Sequence, residues 1–253
     1  MIWEKSPGDS GTAILYIGEV HNPLFVEEYS AAIDQILSDR NIRSLVLASR
    51  HEKIWCMGLD IQWIMEQYRT GDREAVKRFF RDGNRALFLR MLEIPLVSIA
   101  AITGHAYANG MMLALYCDYR FMRSDRGYFC LPEAGMGLAD AFTPSMTKLM
   151  EKRYDPFIRD VMIPAAKKVA ASELAEKKII DLACPRREAA MESALGLARE
   201  ISADRDLFER ILDQRKKWSL PVIEAIEKDD ENAFDHIINR FWSLMEKMGR
   251  KTS

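Results

Sequence analysis

Three short runs, TAILYIGE (12–19), IRSLVLASR (42–50) and LVSIAAITG (96–104), are apolar at nearly every position and closed by glycine or charge. A strand with one wet face alternates apolar and polar residues. A continuous apolar run suits a strand buried on both faces, as in a parallel sheet covered by helices. Between the first two runs lies PLFVEEYSAAIDQILSDR, whose Leu24, Tyr29, Ile33 and Leu37 fall on one helical face. Two further helical stretches, 61–68 and 73–91, precede the third run. The order β-α-β-α-α-β predicts an α/β fold with short strands and crossover helices.

After about residue 140 the pattern changes. SELAEKKIIDLACP (172–185) reads as a helix, a buried turn and a stop at Pro185. From Arg187 to Arg250 the chain reads as wholly helical, with stripes such as Ala194, Leu197 and Ile201, and Pro221 separating two helices. The expected division is an α/β core over 1–186 carrying the site and a helical region over 187–253. The stripes of that region look too long for the core alone to cover, which predicts oligomerisation.

Charge and composition exclude several function classes. A formal net charge of -2 argues against a nucleic-acid binder. The most apolar stretch, 94–117, is interrupted by Gly104, His105, Asn109 and Gly110, so it reads as core and not as a membrane span. The N-terminus shows neither an apolar signal core nor an Arg-rich leader. Cys56, Cys117, Cys130 and Cys184 have no metal-type spacing and read as reduced, buried thiols. A cytoplasmic protein is expected, with no metal and no membrane or nucleic-acid partner.

Chemistry concentrates in two strand-to-helix junctions. WCMGLDIQWI (55–64) places Asp60 where an N-cap belongs, before the helical spacing of Ile61, Ile64 and Met65. GHAYANGMMLALYCD (104–118) has the same build, with almost no side chain at Gly104, Ala106, Ala108 and Gly110. Each junction can offer an unpaired N–H near a helix N-terminus, and two such donors can hold a developing oxyanion. The small residues would let a ligand approach the main chain. His105 reads as a turn histidine, and Cys56 has no neighbouring base that would make it a nucleophile.

These segments, with YFCLPEAGMGL (128–138) and AAKKVAASELAEKKIIDLACP (165–185), resemble the crotonase (enoyl-CoA hydratase/isomerase) superfamily over nearly the full length. Within it, DYRFMRSDRG followed by LPEAGMGL is most similar to the monofunctional Δ3,Δ2-enoyl-CoA isomerases, plant forms included. The resemblance implies a spiral of ββα units, a C-terminal helical trimerisation region, a homotrimer or dimer of trimers, and an acyl-CoA substrate. No cofactor is implied beyond the coenzyme A carried by the substrate.

Carried over by position, the resemblance puts the backbone N–H groups of Met57 and Asn109 on the oxyanion hole. It puts Gly58, Leu59, Asp60 and Met112 along the substrate and Glu133 on the catalytic acid/base. Met112 stands where hydratases keep a first glutamate, whereas Glu133 matches a glutamate shared by hydratases and isomerases. Asp140 is a candidate second acid, one position early for the role it has in dienoyl-CoA isomerases. Hydration calls for paired acid and base groups, whereas moving a double bond from C3 to C2 needs one carboxylate that carries a proton from C2 to C4. The expected function is therefore 3-enoyl-CoA isomerisation. The alternatives are another crotonase activity (dienoyl-CoA isomerase, hydratase or acyl-CoA hydrolase) and a non-catalytic acyl-CoA-binding paralogue.

Overall fold

The computed structural model describes residues 1–138, 140, 142–154, 156–228 and 231–251. Its strands are β1 Ile2–Lys5, β2 Thr12–Tyr16, β3 Ser44–Ala48, β4 Ile54–Cys56, β5 Val97–Ile102, β6 His105–Tyr107, β7 Tyr119–Arg123, β8 Phe129–Cys130 and β9 Leu182–Cys184. The helices of the first half are α1 Pro23–Leu37, α2 Ile61–Thr70, α3 Arg73–Arg78, α4 Arg85–Glu93 and α5 Asn109–Tyr116. A π-turn, Phe79–Asn84, continues α3 into α4 as one rod. After them come α6 Pro144–Arg153, α7 Ile163–Ala165, α8 Ala171–Glu176, α9 Arg187–Ala203, α10 Arg205–Glu227 and α11 Glu231–Lys251.

A six-stranded sheet runs β1-β2-β3-β5-β7-β9, and a three-stranded sheet runs β4-β6-β8. Only β1 is antiparallel in the larger sheet, and the smaller one is wholly parallel. The chain is thus a spiral in which β3-β4-α2, β5-β6-α5 and β7-β8-α6 each add one strand to each sheet and then a helix. All residues of β3 and β5 are buried, as the continuous apolar runs required. Leu15, Leu45, Leu47 and Ala100 face a core shared with α1, α4 and α5, while Ile14, Val46, Ile99 and Ala101 pack under α9.

The C-terminal helices differ from expectation in two respects. Pro221 lies inside α10 and does not end it; a proline there removes one main-chain bond, and tertiary packing holds the helix across it. The apolar stripes are also covered within the chain. Ala190, Ala194, Ala198 and Ile201 of α9 bury on the sheet, and Phe234, Ile237, Ile238, Phe241 and Met245 of α11 bury against Ile64, Val76, Phe79 and Phe80. The argument for a partner from uncovered stripes therefore falls for α9 and α11, whereas Leu220 of α10 stays 55% exposed. No helix among the described residues is long and apolar enough to cross a membrane.

Candidate active site

The small parallel sheet assembles the site. Its register, Cys56 beside Ala106 and Tyr107 beside Cys130, puts the carboxyl ends of β4, β6 and β8 side by side. Each strand then releases one of the segments singled out above: Met57-Gly58-Leu59, Ala108-Asn109 and Leu131-Pro132-Glu133. Ligands of parallel sheets sit at this end of the strands.

The first junction corrects one assignment. The Met57 N–H donates to the Glu19 carbonyl at 2.7 Å, so it is taken by the fold and does not face a ligand. The Gly58 amide is turned to the Cys56 thiol. His21 pairs with Leu59 as in a parallel ladder: its N–H reaches the Gly58 carbonyl at 2.6 Å and its carbonyl accepts from Asp60 N–H at 2.9 Å. In that pattern the residue between those two bonds turns its own N–H away from the partner. The Leu59 N–H is therefore the free donor of this segment, with no acceptor among the described residues.

Asp60 caps α2 as expected. Its Oδ1 accepts from Trp63 N–H at 3.0 Å and its Oδ2 from Asn22 at 3.0 Å, so the carboxylate holds the junction.

At the second junction Asn109 is the first residue of α5, and its N–H likewise has no acceptor among the described residues. The preceding residue, Ala108, has φ 46° and ψ -126°, a conformation that glycine adopts easily and alanine does not. A side chain on Gly58 would put its Cβ 2.7 Å from the Asn109 nitrogen, and one on Gly110 would meet the Cys56 carbonyl oxygen at 2.4 Å. The glycines thus let the two junctions pack on each other. The small residue at Gly110 serves a main-chain neighbour and not a ligand, contrary to the expectation for that stretch.

Glu133 follows β8. Its carbonyl accepts from Leu138 N–H at 2.7 Å, which fixes the backbone. Its Oε2 is buried with no hydrogen-bond partner among the described residues. Burial pushes the carboxyl up to about 7, against a smaller opposing effect from its own backbone amide. Met112, 1% exposed, lies in the first turn of α5 and brings no second carboxylate.

Comparison with known proteins gives this arrangement a family. The enoyl-CoA hydratase/isomerase family model matches residues 20–240. The chain belongs to that family. Among its relatives, the enoyl-CoA delta isomerase 3 of Arabidopsis thaliana is 26% identical over 212 residues, covering 82% of this chain and 81% of that protein. The fold is that of an enoyl-CoA hydratase from Mycobacterium ulcerans, with TM-score 0.76 at 20% identity over 92% of this chain and 96% of that one. It is also that of the human mitochondrial delta3-delta2-enoyl-CoA isomerase, with TM-score 0.68 at 18% identity over 100% and 99% of the two chains.

In this hydratase/isomerase member Asp140 does not have the setting of a second acid. Its side chain is exposed, and it accepts from Arg240 Nε at 2.9 Å and meets His236 Nε2 at 3.1 Å, both on α11. Its carboxyl lies below the usual range: slight desolvation raises it, but its own backbone amide, Arg240 and His236 outweigh that. Arg240 also donates to the Gly137 carbonyl at 2.7 Å, so α11 grips the loop that follows Glu133. Neither Arg240 nor His236 stood out in the sequence, because a charged helix face looks the same whether it meets water or a loop.

Proposed function

We propose that the chain converts 3-enoyl-CoA to 2-enoyl-CoA. The observation that carries this reading is the Glu133 carboxyl, whose Oε2 is buried with no hydrogen-bond partner among the described residues and which burial pushes up to about 7, with Met112 in place of a second carboxylate. Bound with its thioester oxygen against the Leu59 and Asn109 N–H groups, the substrate presents C2 to Glu133. The carboxylate removes a C2 proton, and the C–H electron pair moves into a C1–C2 double bond, leaving a dienolate whose oxygen the two amides stabilise. The same carboxyl returns the proton at C4, the C3–C4 double bond shifts to C2–C3, and the carbonyl reforms. No atom is gained or lost, so one acid/base group suffices.

A screen with 3-enoyl-, 2-enoyl- and 3,5-dienoyl-CoA tests the proposal. Turnover of the first is expected, with C2 deuterium exchange from heavy water in the parent and none in Glu133→Gln. Brisk hydration of 2-enoyl-CoA by the parent would overturn it. Asp140, taken up by Arg240 and His236, favours no dienoyl isomerase reading.

A further inference from the structure

Behind the two proposed oxyanion donors lies a closed polar cluster in an otherwise apolar core. His21, Asn84 and Asn109 are all buried there. The Asn109 Nδ2 donates to His21 Nδ1 at 2.7 Å and to Asn84 Oδ1 at 2.6 Å, and His21 Nε2 lies 3.3 Å from the Cys56 sulfur. Complete burial pushes His21 down to about 3, so the ring is neutral. A neutral ring that accepts at Nδ1 carries its proton on Nε2, and that proton points to the Cys56 thiol. With burial pushing Cys56 up to about 12, the sulfur is a thiol acceptor and no nucleophile.

The residue at the centre of this cluster also holds the other junction. The main chain of His21 brackets Leu59 through the Gly58 carbonyl and the Asp60 amide, while its ring holds the side chain of Asn109. One buried residue thus touches both segments that carry the free N–H groups. Asn109 can point its N–H at a ligand because its side chain is anchored the other way. We propose that His21 is a positioning residue that sets the spacing and direction of the Leu59 and Asn109 N–H groups toward the thioester oxygen, an inference that rests on the isomerase reading above.

Three variants test it: His21→Leu, which cannot accept from Asn109; His21→Gln, whose side-chain oxygen can; and Asn109→Ala, which keeps the N–H but cuts the link. The readouts are kcat and KM for 3-enoyl-CoA and the infrared carbonyl stretch of bound hexanoyl-CoA labelled with carbon-13 at the thioester. His21→Leu is expected to lower kcat by about 10- to 100-fold, as misaimed oxyanion donors do, with KM nearly unchanged. The carbonyl stretch should move back toward its value in water, and His21→Gln should recover most of both. Asn109→Ala should lower kcat on its own and add little in the His21→Leu background, since both break one link. If His21→Leu does not fold, Asn109→Ala and His21→Gln carry the same comparison. An unshifted carbonyl with parental kcat in His21→Leu, or independent losses in the double variant, overturns the inference. Glu133→Gln is the control: if it turns over at the parental rate, the isomerase reading fails and takes this inference with it. If it is inactive while the link-breaking variants behave as the parent, only the role of His21 fails.

Discussion

Asp118 is a buried acid and Glu133 a half-buried one whose Oε2 is shut off from solvent, and the fold treats them differently. Asp118, just past the C-terminus of α5, accepts from Arg215 Nε at 2.9 Å, from the Ser98 amide at 2.8 Å and from the Ser98 hydroxyl at 3.0 Å. Arg215 Nη2 pairs with its other oxygen, and Arg215 Nη1 donates to the Ile94 carbonyl at 2.6 Å. Every charge there is answered, and α10 is locked to the sheet. Glu133 keeps a buried oxygen with no donor among the described residues. A charge answered in this way holds elements together. An unsatisfied one is held in place by its neighbours and stays available.

Substitutions that exchange the two treatments sharpen this contrast. The largest effect is expected on turnover: Glu133→Gln should lower kcat for 3-enoyl-CoA by about 10⁴-fold, at the upper end for a lost general base, while acyl-CoA binding persists in a titration. Next, Arg215→Ala should destabilise the chain by about 3–5 kcal/mol in denaturant melts, because it leaves the Asp118 carboxylate buried without its cation. A cost below about 1 kcal/mol would mean that this pair behaves like a surface one.

A smaller effect concerns the pH dependence of stability. Burial pushes the Glu133 carboxyl from its ordinary 4.5 up to about 7 in the folded chain. Its burial therefore weakens the fold progressively as pH rises from 4.5 to 7 and by a constant amount above that. Relative to the parent, Glu133→Gln should gain about 3 kcal/mol between pH 4 and pH 8, because each pH step between the two titration points is worth about 1.4 kcal/mol. A gap that does not change with pH would show an ordinary carboxyl. The same ionisation should make kcat/KM rise through about pH 7 and level off. Smallest of all, Ala108→Gly should relieve the φ of 46° and raise stability by about 1 kcal/mol, after the entropy that glycine adds to the unfolded chain.

Much of this was legible in the sequence, for identifiable reasons. The runs that became β2, β3 and β5 were apolar at most positions, and Asp60 stood where the α2 cap formed. Glu133 could be named because the segment around it resembles its family's. The donor at the first junction was misplaced by two residues, at Met57 and not Leu59. Which amide is free depends on the Glu19 carbonyl and on His21, both far away in the chain, and nothing in WCMGLDIQWI records them. The cover of the α9 and α11 stripes was invisible for the same reason: periodicity shows that a face is apolar, not what lies against it. Nothing in the spacing of α10 sets Arg215 apart from its exposed charged neighbours, yet it is buried.

The π-turn at Phe79–Asn84 has a consequence for the whole rod that contains it. Each residue of an α-helix advances the winding by about 100°, so the wide turn shifts the phase of everything on one side of it. Val76, on one side of the turn, packs with α11, whereas Leu87, Phe88 and Met91, on the other, pack into the main core. Deleting one residue from the turn would leave both helices intact and put them out of step, like two gears meshed one tooth apart.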